Sequence, residues 1–265
     1  MQIIDFHTHF FPDDLAPKAI DHIVQTSPGA KNRTDGTLRG LHDSMKRARI
    51  DLSVTLQVAT KPSHVRAINQ QVAEAKADQL IIPFGSLHPL MQDSEKEIEY
   101  LRSNGIRGIK LHPEYQYFHI DDRSMYPIYE QLANAGLIVV FHTGKDPGPF
   151  TCDHALPGAV KRVHRDFPRL KMIAAHMGGW KLWEKVETEL SGEEIWFDTS
   201  AVNEYMNRED FVRLCRKHGT ERILFGSDTP WYDQKEAVEW IQSSSMSSYD
   251  IEKILYKNGS ELLGI

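Results

Sequence analysis

Short apolar runs, rich in β-branched and aromatic residues, recur along the chain, and polar residues gather at their C-terminal ends. The runs are "IIDFHTHF" (3–10), "SVTLQVA" (53–59), "LIIPFGSL" (80–87), "IRGIKLHP" (106–113), "LIVVFHTG" (137–144), "KMIAAHMGG" (171–179), "IWFDTS" (195–200) and "RILFGSDTP" (222–230). Most are near-continuous rather than alternating, as expected for parallel strands covered on both faces. The intervals between them read as helices. "SHVRAINQQVAEAKADQ" sets Val65, Ile68, Val72 and Ala75 on one helical stripe. "SEKEIEYLRSNG" carries a capping-box pattern from Ser94 to Glu97 and closes on Gly105. Three further segments end on Gly136, Gly192 and Gly219. Residues 233–265 read as two or three helices split by a Ser-rich stretch at 243–248, and 26–40 as a long loop at the mouth of the fold. Eight strands alternating with helices predict an α/β fold, a (β/α)8 TIM barrel formed as one domain over 1–265. An open doubly wound sheet competes with it, but no strand is followed by the G-x-G-x-x-G turn such a sheet normally carries.

Composition narrows the partners. The chain is 40% hydrophobic and 26% charged over 265 residues, an ordinary globular balance that supports a large core without disulfide staples. Cys152 and Cys215 lie far apart and outside any C-x-x-C spacing, so both read as reduced thiols. A net charge of −6 with no strongly basic stretch argues against nucleic acid as the partner. No apolar run approaches the ~20 residues of a membrane span, and no basic segment leads into an apolar one at the start. A cytoplasmic protein acting on a small molecule is expected, and homo-oligomers are compatible with the sequence.

Barrel enzymes place their chemistry at the C-terminal ends of the strands. Here those ends carry His7 and His9, Lys110 and His112, His142, His176, Asp198 and Asp228. In a strand, Asp5, His7 and His9 share one face. A single histidine or aspartate at a strand end is usually structural. Four histidines and one aspartate converging from strands 1, 5, 6 and 8 form a metal-ligating set. Nitrogen and carboxylate donors without thiolate suit Zn²⁺, Mn²⁺ or Fe²⁺, and an open coordination position makes such a site catalytic. Lys110 and His112 suit an anionic or carbonyl-bearing substrate, and Trp180 and Trp231 stand where they can wall its pocket. "TCDH" (151–154) reads as a plain loop.

The chain resembles the amidohydrolase superfamily, in its amidohydrolase-2 branch of metal-dependent TIM-barrel hydrolases and related decarboxylases. The resemblance rests on "DFHTHF", "GIKLHP", "FHTG", "AHMGG" and "FGSDTPW", all in order and each at a predicted strand end. It implies a distorted (β/α)8 barrel holding one divalent ion, Zn²⁺ first, through His7, His9, His142 and Asp228. It places His176 beside the reacting water, with Asp228 and His176 as the catalytic pair. A two-metal variant would use a carboxylated Lys110 as a bridge and His176 as a ligand of the second ion. The closing "ILYKNGSELLGI" also resembles the family's last helix, although Asn-Gly stands where Asn-Ala is more usual. The expected reaction is hydrolysis of an amide, ester or lactone in a small anionic molecule. Decarboxylation of an unsaturated or aromatic acid is the alternative, a non-catalytic metal-binding barrel a weaker one, and a metal-dependent DNase is disfavoured by the acidic charge.

Overall fold

The computed structural model describes residues 1–265. Eight parallel strands follow one another in sequence order around a single sheet. They are β1 (Ile4–Thr8), β2 (Leu52–Leu56), β3 (Ile81–Ser86), β4 (Gly108–Leu111), β5 (Ile138–Phe141), β6 (Lys171–Ala174), β7 (Trp196–Asp198) and β8 (Ile223–Leu224). The helices are α1 (Ala16–Thr26), α2 (Leu38–Ala48), α3 (Val65–Ala75), α4 (Ser94–Ser103), α5 (Pro113–Gln116), α6 (Tyr126–Ala135), α7 (Pro157–Asp166), α8 (Trp183–Lys185), α9 (Arg208–His218), α10 (Gln234–Gln242), α11 (Ser248–Glu252) and α12 (Asn258–Leu263). No helix is long and apolar enough to cross a membrane.

Two apolar layers hold this arrangement. Ile4, Phe6, Val54, Leu56, Phe84, Val140, Ile173 and Leu224 form an inner core. Ile109, Leu111, Val139, Phe141, Met172, Phe197 and Ile223 belong to a larger core shared with the helices. The inner layer explains where Lys110 goes. It registers with Ser86 on β3 and with Val140 on β5, so it shares the face of an inner-core residue.

The ring closes loosely between β8 and β1. Apart from one isolated bridge, Thr8 to Thr229, its backbone closure consists of single hydrogen bonds. Phe6 donates to Phe225 (2.7 Å), His9 to Thr229 (2.7 Å), and Asp228 to His7 (2.8 Å). The last helix supports this seam. Asn258 donates to the carbonyls of Thr220 and Ile223, both at 2.7 Å. A Cβ on Gly259 would stand 2.6 Å from the Phe6 ring, which accounts for Asn-Gly in place of Asn-Ala.

Three local expectations change. The pairing of β1 with β2 shifts register between Asp5 and Thr8, so strict alternation fails there. His7 and His9 line the main cavity, whereas Asp5 is enclosed with Ser227 and Gln234, which donate to its carboxylate. The capping box at Ser94 does not form. Asp93 is the capping residue, without a side-chain bond, and the Ser94 hydroxyl donates instead to Gln131 on α6 at 2.7 Å. The loop at 26–40 ends early, because α2 starts at Leu38 behind a Thr37 cap that accepts from the Gly40 N–H.

Candidate metal centre and cavity

The strands end before most of the functional side chains begin. Lys110 lies within β4, but His9, His112, His142, His176 and Asp228 stand on the turns that follow β1, β4, β5, β6 and β8. His176 and Asp228 take left-handed backbone angles, φ 58° and 71°. Such angles are uncommon away from glycine and gather at functional turns. The turns converge on one cavity of about 620 Å³, which His7, His9, Lys110, His112, His142, His176, Trp180, Asp228 and Trp231 all line.

The imidazoles are oriented from behind. His7 Nδ1 donates to Asp198 Oδ2 at 2.8 Å, and His9 Nδ1 to the Leu56 carbonyl at 2.6 Å. With these tautomers, assigned from the partners, each Nε2 is left unprotonated. These nitrogens lie 3.5 Å and 3.3 Å from Asp228 Oδ1. His142 Nε2 donates to the Lys145 carbonyl at 3.0 Å, and His176 Nδ1 to the Ser200 carbonyl at 3.2 Å. Their remaining nitrogens, His142 Nδ1 and His176 Nε2, then face each other at 3.0 Å. Two lone pairs at that distance call for a proton or a cation between or beside them. Four inward, unprotonated nitrogens and one carboxylate therefore fit a divalent ion, by donor type and by orientation.

The set is not evenly gathered. Donor atoms of His7, His9 and Asp228 lie within 4.8 Å of one another, and those of His112, His142 and Asp146 form a second such group. His142 joins the first group through His176 rather than directly. Asp198 ties the centre together. Its Oδ1 accepts from the N–H of His176 and of Ser200, both at 3.0 Å, and from the Ser200 hydroxyl.

Burial sets the charge states. It pushes His7 down to about 4, with Lys110 adding to the effect, and holds His112, His142 and His176 below the usual histidine range. Burial alone would raise Asp198 and Asp228, but His7 and the hydrogen bonds around them keep both well below the ordinary carboxylate value. Lys110 falls to about 8 through burial; its ammonium donates to His7 Nε2 at 3.2 Å. His112 is thus a neutral donor rather than a cation. It stacks on His142 with centroids 4.2 Å apart, and its Nδ1 accepts from the Tyr115 N–H.

Several cavity residues carried no clear signal in the sequence. Asp146, pushed up to about 6 by burial, enters the cavity from the turn after β5 and lies 3.6 Å from His112 Nε2. Arg33, paired with Glu204 at 2.9 Å, comes from the loop after α1. Tyr115, Tyr205 and Tyr232 join Trp180 and Trp231 as aromatic walls. Asp198 was visible as the end of "IWFDTS", but nothing in the sequence gave it a role behind His7.

A family model described as Amidohydrolase matches residues 4–265. Among curated proteins, the chain is similar to a gamma-resorcylate decarboxylase of Polaromonas sp., 26% identical over 132 residues. That match covers 43% of this chain and 40% of the relative, so the chain is aligned with well under half of it. Two solved structures share the fold along their whole length. An uncharacterised TIM-barrel protein from Bordetella bronchiseptica has a TM-score of 0.79 and 23% identity, covering 100% of this chain and 99% of its own. A dihydroxybenzoic acid decarboxylase from Polaromonas sp., solved with bound manganese and the inhibitor 2-nitroresorcinol, has a TM-score of 0.76 and 16% identity, covering 99% and 97%. These findings correct the expectation of hydrolysis, because the relatives with a named reaction are decarboxylases.

Proposed function

Because the chain belongs to the amidohydrolase family, we propose that it is a metal-dependent decarboxylase of a hydroxylated aromatic carboxylic acid. The observation that carries this reading is the set of four inward imidazole nitrogens and Asp228 at the end of a cavity walled by aromatic rings. A divalent ion bound there supplies positive charge for the substrate's oxygen anions. His7, His9, His142 and Asp228 would hold it, with His176 beside it. The donor set suits Mn²⁺ or Zn²⁺ alike, and the manganese in a structural relative makes Mn²⁺ the first ion to load.

The chain's own residues do the rest. Tyr115, Trp180, Tyr205 and Tyr232 would wall the aromatic ring and limit the water around it. Lys110, cationic at neutral pH, holds the departing carboxylate beside His7. Asp228 and His176, both unprotonated at rest, would take up a proton from solvent and pass it to the ring face. The bond between the ring and the carboxylate carbon breaks, its electron pair stays on the ring carbon, the ring carbon takes the proton, and CO₂ leaves. Pre-placing charge where it develops is the main source of rate in such a site.

The test is a panel of mono- and dihydroxybenzoic acids in D₂O with Mn²⁺-loaded protein. CO₂ release together with one deuterium on the former carboxyl carbon is expected for at least one acid. No CO₂ from any acid, with Mn²⁺ and with Zn²⁺, would overturn the proposal.

A further inference from the structure

On the wall of the barrel mouth, outside the centre described above, His119, Cys152 and His154 bring two imidazoles and a thiol together. Their donor atoms lie within 4.8 Å of one another. We propose that they form a second cation site, selective for a thiophilic divalent ion such as Zn²⁺.

The geometry supports this at three points. Cys152 Sγ lies 3.6 Å from His154 Nε2. Zinc–sulfur and zinc–nitrogen bonds of about 2.3 and about 2.05 Å, meeting at a tetrahedral angle, give a sulfur–nitrogen distance of about 3.6 Å. The His119 ring stands beside that of His154, with centroids 4.8 Å apart. Behind the cluster is a buried carboxylate. Glu114 is 1% exposed, and its Oε1 lies 3.8 Å from His154 Nδ1. Glu114 Oε2 and His154 Nδ1 are both buried without a hydrogen-bond partner. Orphaned buried atoms of this kind are costly unless something is gained from them. Glu114 Oε1 already accepts from the His154 backbone N–H at 3.0 Å, and a proton on Nδ1 turned toward this carboxylate would leave Nε2 free for the ion. The fourth coordination position remains for water.

The site would join two segments that wall the active cavity. His119 follows α5, and Cys152 and His154 belong to the loop between β5 and α7. They already touch through the Ile120 N–H and the His154 carbonyl at 3.0 Å. That loop also carries Phe150, packed edge-on against the cavity residue Tyr115 at 5.2 Å. An ion at the cluster would brace this wall, independently of the reaction inside. "TCDH", expected to be a plain loop, would then be a ligand pair.

Co²⁺ is the probe, because the inner centre has no thiolate and only this site gives a sulfur-to-cobalt charge-transfer band. Wild-type protein already loaded with Mn²⁺ is titrated with Co²⁺ and followed in the near ultraviolet. The expected result is a band that saturates at one equivalent, disappears in Cys152→Ser, and is lost or weakened at least ~10-fold in affinity in His119→Ala. Both substituted residues are exposed, so the fold should tolerate the changes. No band in the wild type at millimolar Co²⁺, or a band that survives Cys152→Ser, would overturn the proposal.

Discussion

Asp198 holds His7 by a 2.8 Å hydrogen bond between two side chains that are almost wholly enclosed. The same carboxylate receives the backbone N–H groups of His176 and Ser200. One residue thereby holds the imidazole of His7 and the backbone of His176, which come from different strands. Asp198→Asn should keep the fold but weaken Mn²⁺ affinity by about 10- to 100-fold, because a neutral amide cannot hold the His7 tautomer as firmly. Competition with a chelator of known affinity measures this. Unchanged affinity would remove Asp198 from the support of the site.

Lys110 sits at 1% exposure with no carboxylate within ion-pairing distance, so its charge costs stability. Lys110→Met should leave the melting temperature equal or higher while kcat/KM falls by at least ~10²-fold. A parallel loss of stability and activity would make Lys110 structural instead.

His218 offers a pH-dependent signature away from the metal centre. It stacks on Phe197 at 3.7 Å, Nε2 donates to the Ile195 carbonyl, and Nδ1 accepts from the Gly192 N–H. Burial lowers it from 6.5 to about 4. The folded value lies below the unfolded one, so its contribution is full above pH ~6.5 and is lost as pH falls through that range toward 4. The stability gap between wild type and His218→Phe should therefore narrow by about 3 kcal/mol between pH 7 and pH 4. Urea titrations at several pH values measure the gap. A constant gap would contradict the assignment.

Gly144 and Gly136 make a matched pair. Both have positive φ, 87° and 69°. A Cβ on Gly144 would stand 2.1 Å from the Trp180 nitrogen, whereas one on Gly136 meets nothing within 4 Å. Gly136→Ala should cost about 1 kcal/mol, the backbone penalty alone. Gly144→Ala should cost more than ~3 kcal/mol and displace His142 and Trp180, reducing activity as well. Equal melting temperatures for the two variants would refute the close approach.

The barrel was legible because buried parallel strands leave continuous apolar runs, and strand ends locate the mouth without any knowledge of the loops. That arithmetic placed His7, His9, Lys110, His142, His176 and Asp228 around one cavity. It could not find Asp146, Arg33, Tyr205 or Tyr232, which reach the cavity from irregular turns with no periodicity to read. Nor could it foresee that Ser94 would spend its hydroxyl on a neighbouring helix, a tertiary choice that no local pattern encodes. The choice of reaction was not legible for a different reason: the groups that would activate a water are those that would bind a carboxylate and move a proton.

The weakly laddered seam between β8 and β1 has a kinetic consequence. His7 and His9 stand on one side of it and Asp228 on the other, and the Asp5–Ser227 hydrogen bond beneath them links residues 222 positions apart. Contacts of such sequence separation carry the largest loop-closure entropy and tend to form late. If His7, His9 and Asp228 hold the ion as proposed, they come together only when the ring closes. In a refolding experiment the metal should bind at the rate of the slowest folding phase, so its uptake would serve as a clock for completion of the barrel.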